Sequence, residues 1–391
     1  MEKNGSSKAF DAQPKVCIVS HNAYGAMTGG RAGHIGGVEW QTSLMAKWLA
    51  ARGHRVSVLT WDEGGPAEEM IDGVRVIKMC RREAGVPRLR FFWPRWSRLI
   101  RALRQADADV YYHNGAEYVT GQVVLWCGGR GRRFVYSVAS NMDCSPDSPE
   151  LRKRRDRVLY RYGLRHADRV IAQTQTQQRM LREGFGVDSL VIPMPCPGPS
   201  EADYAPPAPP DPATARILWV GRICDKKRPD RFLELARTCP DLAFDFVGPP
   251  DAAGYGESIL RQAAGVANLA VHGAVPRDRM PAFYRGAACL VCTSDFEGFP
   301  NTFLEAWSRG LPIVSTFDPD GLIASRGLGV ATADVAGLAA GIRGLLASPE
   351  RWIEASRNAR RYYLENHTVD AVMPQFERVF LDVAGRRGRG T

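Results

Sequence analysis

DFEGFPNTFLEAWSRGLPIVST, residues 295–316, decides how the fold is read. It follows Ala288–Ser294 (ACLVCTS), an apolar run of strand length that stops at polar residues. A loop, Asp295–Pro300, leads into a short helix over Asn301–Arg309. Pro300 falls where a first helical turn tolerates a proline, because that amide has no intrahelical partner. Gly310 stops the helix, and Leu311–Thr316 return as a strand. A helix N-terminus at the carboxyl end of a strand offers free N–H groups and a positive dipole end to an anion such as phosphate. Glu297 before the helix and Glu305 inside it would repel phosphate but accept hydrogen bonds from hydroxyls. The stretch reads as a site for a phosphorylated, hydroxyl-rich ligand. The plainer alternative is a strand–loop–helix unit with two surface glutamates.

Outward from this stretch the same rhythm repeats. Strands are expected at Arg216–Val220, Ala243–Val247 and Leu269–His272, with helices at Pro229–Thr238, Ser258–Ala264 and Arg277–Arg285 between them. In ILWVGRICDKKRP (217–229) a strand ends at Gly221, so Arg222 and Lys227 fall at the sheet edge that carries Glu297. Arginine grips two phosphate oxygens as a fork and lysine adds a point charge, which sharpens the anion to a diphosphate. Helices at 335–347, 350–365 and 369–384 finish the chain.

Upstream, residues 193–213 (PMPCPGPSEADYAPPAPPDPA) are proline-rich and read as a stiff linker. Before it lies a second α/β run. Its strand at 15–20 leads into a glycine-rich loop (Gly25–Gly37), a helix over Val38–Arg52 and a strand at Arg55–Thr60. The glycine order is not that of a dinucleotide fingerprint. Strands follow at 74–79, 109–112, 133–138, 167–173 and 189–192, with a helix at 175–183. His113 and the polar loop Ala139–Ser148 fall at strand carboxyl ends, where ligands of open α/β sheets bind. The fold class is therefore α/β, two doubly wound Rossmann-like domains facing a common cleft. The domains are expected at 15–194 and 214–368, with the linker at 195–213.

The chain has 391 residues, 45% hydrophobic and 24% charged, ordinary globular values. Its N-terminus is polar, without a signal-peptide core, and no run is long and apolar enough to span a membrane. Nine scattered cysteines read as reduced thiols in a cytoplasmic protein. Cys289 and Cys292 share a strand and face opposite sides, against a shared metal. A net charge of +10 favours an anionic partner. Basic and aromatic residues crowd 81–104, and a second basic run covers 152–165. A helix at 95–105 with one apolar face and an arginine face suits either an anionic membrane or simple packing on a sheet. The RFFWPRW segment beside it (90–96) fits a membrane interface.

EGFPNTFLE, with seven residues between Glu297 and Glu305, resembles the paired-glutamate motif of retaining GT-B glycosyltransferases of family 4. Gly221, Arg222 and Lys227 match that family's donor-phosphate element, and GGVE at 36–39 with LAARGHRVSVLT matches its N-terminal start. HGAVPRDRMPAFYRGAACLVCTSDFEGFP matches the segment leading into the glutamates. The resemblance spans roughly 15–384 and implies a site, residue by residue. Arg222 and Lys227 hold the donor diphosphate, Glu305 the ribose and Glu297 the donor sugar. Gly221 and Gly248 line the donor site, Val275 lies near the base, and Phe299, Pro300, Asn301 and Thr302 cradle sugar or phosphate by their backbone. Gly36 and Gly37 approach from the other domain, and the helix at 369–384 crosses back to the N-terminal domain.

Two positions depart from the family. Its usual histidine after the strand at 134–138 is replaced by Ala139-Ser140, so Ser140, Asn141 or Asp143 substitutes or the contact is dispensable; with His113 these are the acceptor-side candidates. Met194 stands where an asparagine is common. The implied reaction moves a sugar from a nucleotide diphosphate sugar to a hydroxyl of a glycan or lipid-linked acceptor, with no metal or other cofactor. Glu297 positions the sugar and the leaving phosphate helps deprotonate the acceptor. The expected setting is bacterial cell-surface polysaccharide synthesis at the inner face of the cytoplasmic membrane, with a peripheral contact through 88–104. The alternatives are a related enzyme with a small-molecule acceptor or epimerase activity and, from charge alone, a nucleic-acid-binding protein, though no nucleic-acid motif is present.

Overall fold

The computed structural model describes residues 13–30, 36–147, 151–251 and 254–385. The polar N-terminal stretch up to residue 12, Gly33 of the glycine-rich loop and Ser148 lie outside the described residues. The chain divides into two compact units. One takes the described residues up to Ser137, Leu151–Ile171 and the helix from Met373; the other takes 138–147 and Ala172–Val372.

The first unit is built on β1 (Val16–Val19), β2 (Val56–Thr60), β3 (Glu68–Ile71), β4 (Val74–Lys78), β5 (Val110–Asn114), β6 (Arg133–Ser137) and β7 (Arg169–Ala172). They lie in the order β3-β4-β2-β1-β5-β6-β7, parallel except for β3, which pairs antiparallel with β4 at the edge. The central strands VCIV and VSVLT are buried along their whole length. That is the mark of a parallel sheet covered on both faces, and it explains why they read as unbroken apolar runs. β3 was not foreseen: EEMI alternates exposed and half-buried residues and carries two glutamates, a composition found on protected edges. A short β8 (Leu190–Val191) follows, and Ile192 N–H donates to Ala172 O at 2.9 Å.

One helix of this unit matches an alternative the sequence offered, and another is new. Ser97–Ala106 packs its apolar face, Leu99, Ala102, Leu103 and Ala106, into the core and leaves Arg98, Arg101 and Arg104 exposed. The helix is therefore a sheet-packing element, and the exposed apolar residues lie before it, at 86–93. Tyr118–Gly128 was missed altogether. It is buried nearly all round, so it carries no polar face to set a helical period. The last helix, Val369–Gly385, contributes Met373, Phe376 and Phe380 to this unit's core. Its Glu377 accepts from Arg52 Nε at 3.0 Å and lies 2.8 Å from His54 Nε2.

The second unit carries β9 (Arg216–Val220), β10 (Ala243–Val247), β11 (Leu269–Gly273), β12 (Cys289–Cys292), β13 (Ile313–Ser315) and β14 (Gly329–Ala331), all parallel, in the order β11-β10-β9-β12-β13-β14. Chain order reverses between β9 and β12, which makes their carboxyl ends the switch point where ligands of open α/β sheets bind. Alternation along β9 splits the core. Trp219 joins Phe232, Phe244 and Phe246 on one face, and Leu218 joins Phe303, Leu304 and Trp307 on the other. Both folds are Rossmann-like, the two halves of a GT-B architecture.

Candidate active site

Glycine backbone shapes the floor of the second unit's switch point. Gly221 N–H donates to Val247 O at 3.0 Å, and Gly248 N–H to Gly273 O at 2.8 Å. Gly248 has φ +143°, and a Cβ on it would lie 1.7 Å from Gly221 O. Only glycine fits there, so the loops after β9 and β10 touch through bare main chain.

Lys227 ends a short turn, Asp225–Lys227, and its Nζ pairs with Glu297 Oε1. Ser294 Oγ donates to the same oxygen at 2.7 Å. Thr293 Oγ1 donates to Lys227 O at 2.7 Å and accepts from Trp219 Nε1 at 3.0 Å, so β12 holds the lysine turn by its backbone. Burial works against the lysine's charge, but the Glu297 carboxylate outweighs it and Lys227 is held above its ordinary pKa. Asp295, at the head of the loop, takes Arg228 Nη1 at 3.2 Å and Arg231 Nη1 at 2.7 Å. Arg222, directly after Gly221, is exposed on this edge.

The rest of the loop is fastened from below. Glu297 O accepts from Asn141 N–H at 3.2 Å, and Phe299 N–H donates to Gln173 Oε1 at 2.9 Å. Gln173 Nε2 donates onward to Val138 O at 2.9 Å. A Cβ on Gly298 would meet Ala139 O at 2.1 Å, so this glycine lets two main chains touch. Pro300 occupies the N-cap, one residue earlier than the sequence suggested, and the helix spans Asn301–Trp307 with no side-chain cap. Glu305, on that helix, accepts from Arg277 Nη2 and Tyr284 OH, both at 2.6 Å. Burial, with the Glu305 charge, pushes the Tyr284 phenol far up, so it stays a donor. Val275 packs, partly buried, against the apolar cluster that includes Leu290 and Phe303.

Lys227, Glu297, Phe299, Asn301, Thr302 and Glu305 thus share one loop-and-helix region with Gly221, Arg222 and Gly248. Ser140 caps a turn over Asn141–Cys144, and the buried Asp143 carboxylate accepts from Ala139 N–H at 2.7 Å and Ser140 N–H at 3.1 Å. Asn141 Oδ1 accepts from Gln177 Nε2 at 3.1 Å. These side chains are engaged in building the loop that supports Glu297. Asp318 and Asp320 likewise accept backbone amides of Ile323, Gln175 and Thr176, as turn and helix caps.

His113, Gly36 and Gly37 belong to the first unit. Gly36 is the N-cap and Gly37 the first residue of the helix Gly37–Ala51. His113 is buried at the end of β5 with Nδ1 2.7 Å from Val19 O, so Nδ1 carries the proton. Its Nε2 has no hydrogen-bond partner among the described residues, and burial lowers its pKa. Ser294, Gln173, Arg277 and Tyr284 were missed in the sequence. Ser294 alone carried a signal, as the polar stop of a buried strand; the others are joined to the glutamates only by the sheet order.

Two family descriptions match the chain: a glycosyl transferase 4-like domain over residues 36–197 and glycosyl transferases group 1 over 214–348. A D-inositol 3-phosphate glycosyltransferase of Nocardiopsis dassonvillei is 28% identical over 324 residues, covering 72% of this chain and 74% of that one. Its counterpart from Kineococcus radiotolerans is 28% identical, covering 91% and 93%. Among solved structures, sucrose-phosphate synthase from Thermosynechococcus elongatus matches 95% of this chain and 99% of its own, with a TM-score of 0.77 at 18% identity. Anabaena HepE in complex with UDP and glucose matches 94% and 99%, with a TM-score of 0.74 at 15% identity. With both units matched by glycosyltransferase domains and both sheets laid out as GT-B halves, the chain belongs to the group 1, family 4 glycosyltransferases and is a transferase enzyme.

Proposed function

We propose that the enzyme moves a sugar, with retention of anomeric configuration, from a nucleotide diphosphate sugar to a hydroxyl acceptor. The supporting observation is the Lys227–Glu297–Ser294 group on a loop locked at a sheet switch point, with Glu305 one helical turn beyond. In this reading Arg222 and Lys227 take the charge that develops on the departing diphosphate, the kind of fixed electrostatic contact that stabilises a transition state. Glu305 receives ribose hydroxyls, exchanging its bonds to Arg277 and Tyr284. Glu297 orients the sugar. Its Oε1 is already engaged by a cation and a hydroxyl, which argues for positioning over attack as a nucleophile. Gly221, Gly248, Val275 and the main chain at Phe299–Thr302 line the donor site. The complex of HepE with UDP and glucose supports a nucleotide sugar as donor.

For the acceptor, the relatives named D-inositol 3-phosphate glycosyltransferase favour a small phosphorylated polyol. A lipid-linked glycan of a cell-surface polysaccharide is the second reading, favoured by the exposed aromatic residues of the first unit. The test is a thermal-shift screen over UDP, GDP, ADP and TDP, followed by transfer assays with the matching sugar donor and both acceptor classes. One nucleotide should raise the melting temperature, since a ligand of the native state stabilises it. Product NMR should show the donor's anomeric configuration, and chelation by EDTA should leave the rate unchanged. Inverted product, or donor conversion without any acceptor, would overturn the reading.

A further inference from the structure

The chain's positive charge is not spread evenly. Residues 81–104 hold eight arginines against one glutamate, and residues 152–165 hold seven basic residues against one aspartate. These two stretches carry +7 and +6, so the remainder of a chain of net charge +10 is slightly negative. Both stretches lie in the first unit, and Arg155 of the second stretch sits 3.4 Å over the ring of Phe91 in the first.

Beside this charge the first stretch exposes large apolar side chains in close succession: Val86 (63%), Leu89 (65%), Phe92 (59%) and Trp93 (69%). They are held outward by structure. Phe91 is buried and meets Phe92 and Trp96 edge-on at 4.9 and 5.5 Å. At Gly85 (φ +90°) a Cβ would lie 2.5 Å from Pro94 Cδ, so the turn folds back on the proline. Arg95 Nη2 donates to Arg82 O at 2.5 Å and ties the two ends together. A folded segment that keeps two aromatic rings in water, ringed by arginines, marks an interaction surface.

We propose that residues 81–96 dock the enzyme on an anionic lipid bilayer. Phe92 and Trp93 enter the headgroup layer, where aromatic rings settle, and Arg81, Arg82, Arg88 and Arg90 pair with lipid phosphates. Charge selects an anionic partner, and the apolar residues choose a lipid over a soluble polyanion, which would leave them wet. This does not rest on the catalytic reading.

The experiment is vesicle flotation of the full chain. Vesicles of phosphatidylcholine with about one-third phosphatidylglycerol are compared with phosphatidylcholine alone, at low and physiological salt. Binding is expected to the anionic vesicles only and to weaken with salt. Phe92→Ser/Trp93→Ser should lower partition about tenfold or more at an unchanged melting temperature. Arg88→Gln and Arg90→Gln should each lower it about fivefold. Trp93→Phe, which keeps a ring, should restore most of the binding lost in Trp93→Ser. Equal binding to neutral vesicles would overturn the proposal. So would wild-type binding by the double serine variant, or complete displacement from anionic vesicles by heparin at physiological salt.

Discussion

Lys227 joins the chemistry to the packing. Its ammonium meets Glu297 and its carbonyl is held by Thr293, so removing it disturbs a charge without freeing the turn. Lys227→Ala, Arg222→Ala and Glu297→Ala should each lower kcat/KM by about 10²-fold or more, the scale of losing one transition-state contact. Because Lys227 and Glu297 touch, the double alanine variant should lose less than the product of the single losses, measurable as a double-mutant cycle. His367 gives a prediction of another kind. It is buried among Phe299, Trp307 and Tyr362, with Nδ1 2.8 Å from Met194 O, and burial lowers its pKa to about 4. The unfolded imidazole, near 6.5, takes a proton that the folded one refuses. Its stability contribution is therefore complete above pH 6.5 and declines as pH falls towards 4, by an amount on the order of 3 kcal/mol. Denaturant unfolding at stepped pH should show a shallower acid slope for His367→Gln than for the wild type. At this scale the glutamates and Lys227 were legible because their spacing is a motif. Tyr284, Gln173 and His367 were not, because each meets its partner only after the sheet has brought distant segments together.

Among the elements, the buried strands were legible as unbroken apolar runs. The helix Tyr118–Gly128 was not, and its packing explains why. It crosses Arg154–Arg165 so closely that a Cβ on Gly121 would lie 2.2 Å from Leu159 O, and one on Gly163 would lie 2.6 Å from the Thr120 carbonyl carbon. The two backbones meet through paired glycines, and a helix that needs glycine at its crossing and apolar residues all round offers no period to read. Gly121→Ala should destabilise the protein by about 1–3 kcal/mol through overpacking against main chain that cannot yield. Gly128, at the end of the same helix, has open space where a Cβ would go. Gly128→Ala should fall within about 1 kcal/mol of wild type, towards greater stability. Urea unfolding of the two variants side by side tests the crossing, and equal midpoints would refute it.

The whole chain folds its first unit from both ends. β1 forms near the start, yet the same unit is finished by the last helix, whose Glu377 lies 325 residues after the Arg52 it binds. Phe376 and Phe380 pack edge-on against Tyr112 of β5 at 6.5 and 5.7 Å, and the largely buried Glu377 carboxylate answers Arg52 and His54. Composition could not reveal this, because an apolar C-terminal helix is equally good at covering the sheet next to it in sequence. The second unit ends at Val372. Ending the chain after Val372 should therefore act on the two units unequally. The first loses Met373, Phe376, Val379, Phe380 and Val383 from its core and exposes the apolar β5 face, a loss of several buried side chains at roughly 1.5–3 kcal/mol each. That exceeds what marginal stability can absorb. Limited trypsin digestion followed by mass spectrometry should find new cuts in the first unit, at arginines near 81–104 and 130–133, while a fragment spanning about 214–366 persists. Glu377→Ala should give a weaker version of the same pattern, since it leaves the apolar contacts in place and removes the partner of the buried His54. Protection of the first unit equal to that of the intact chain would show that the last helix is dispensable to it.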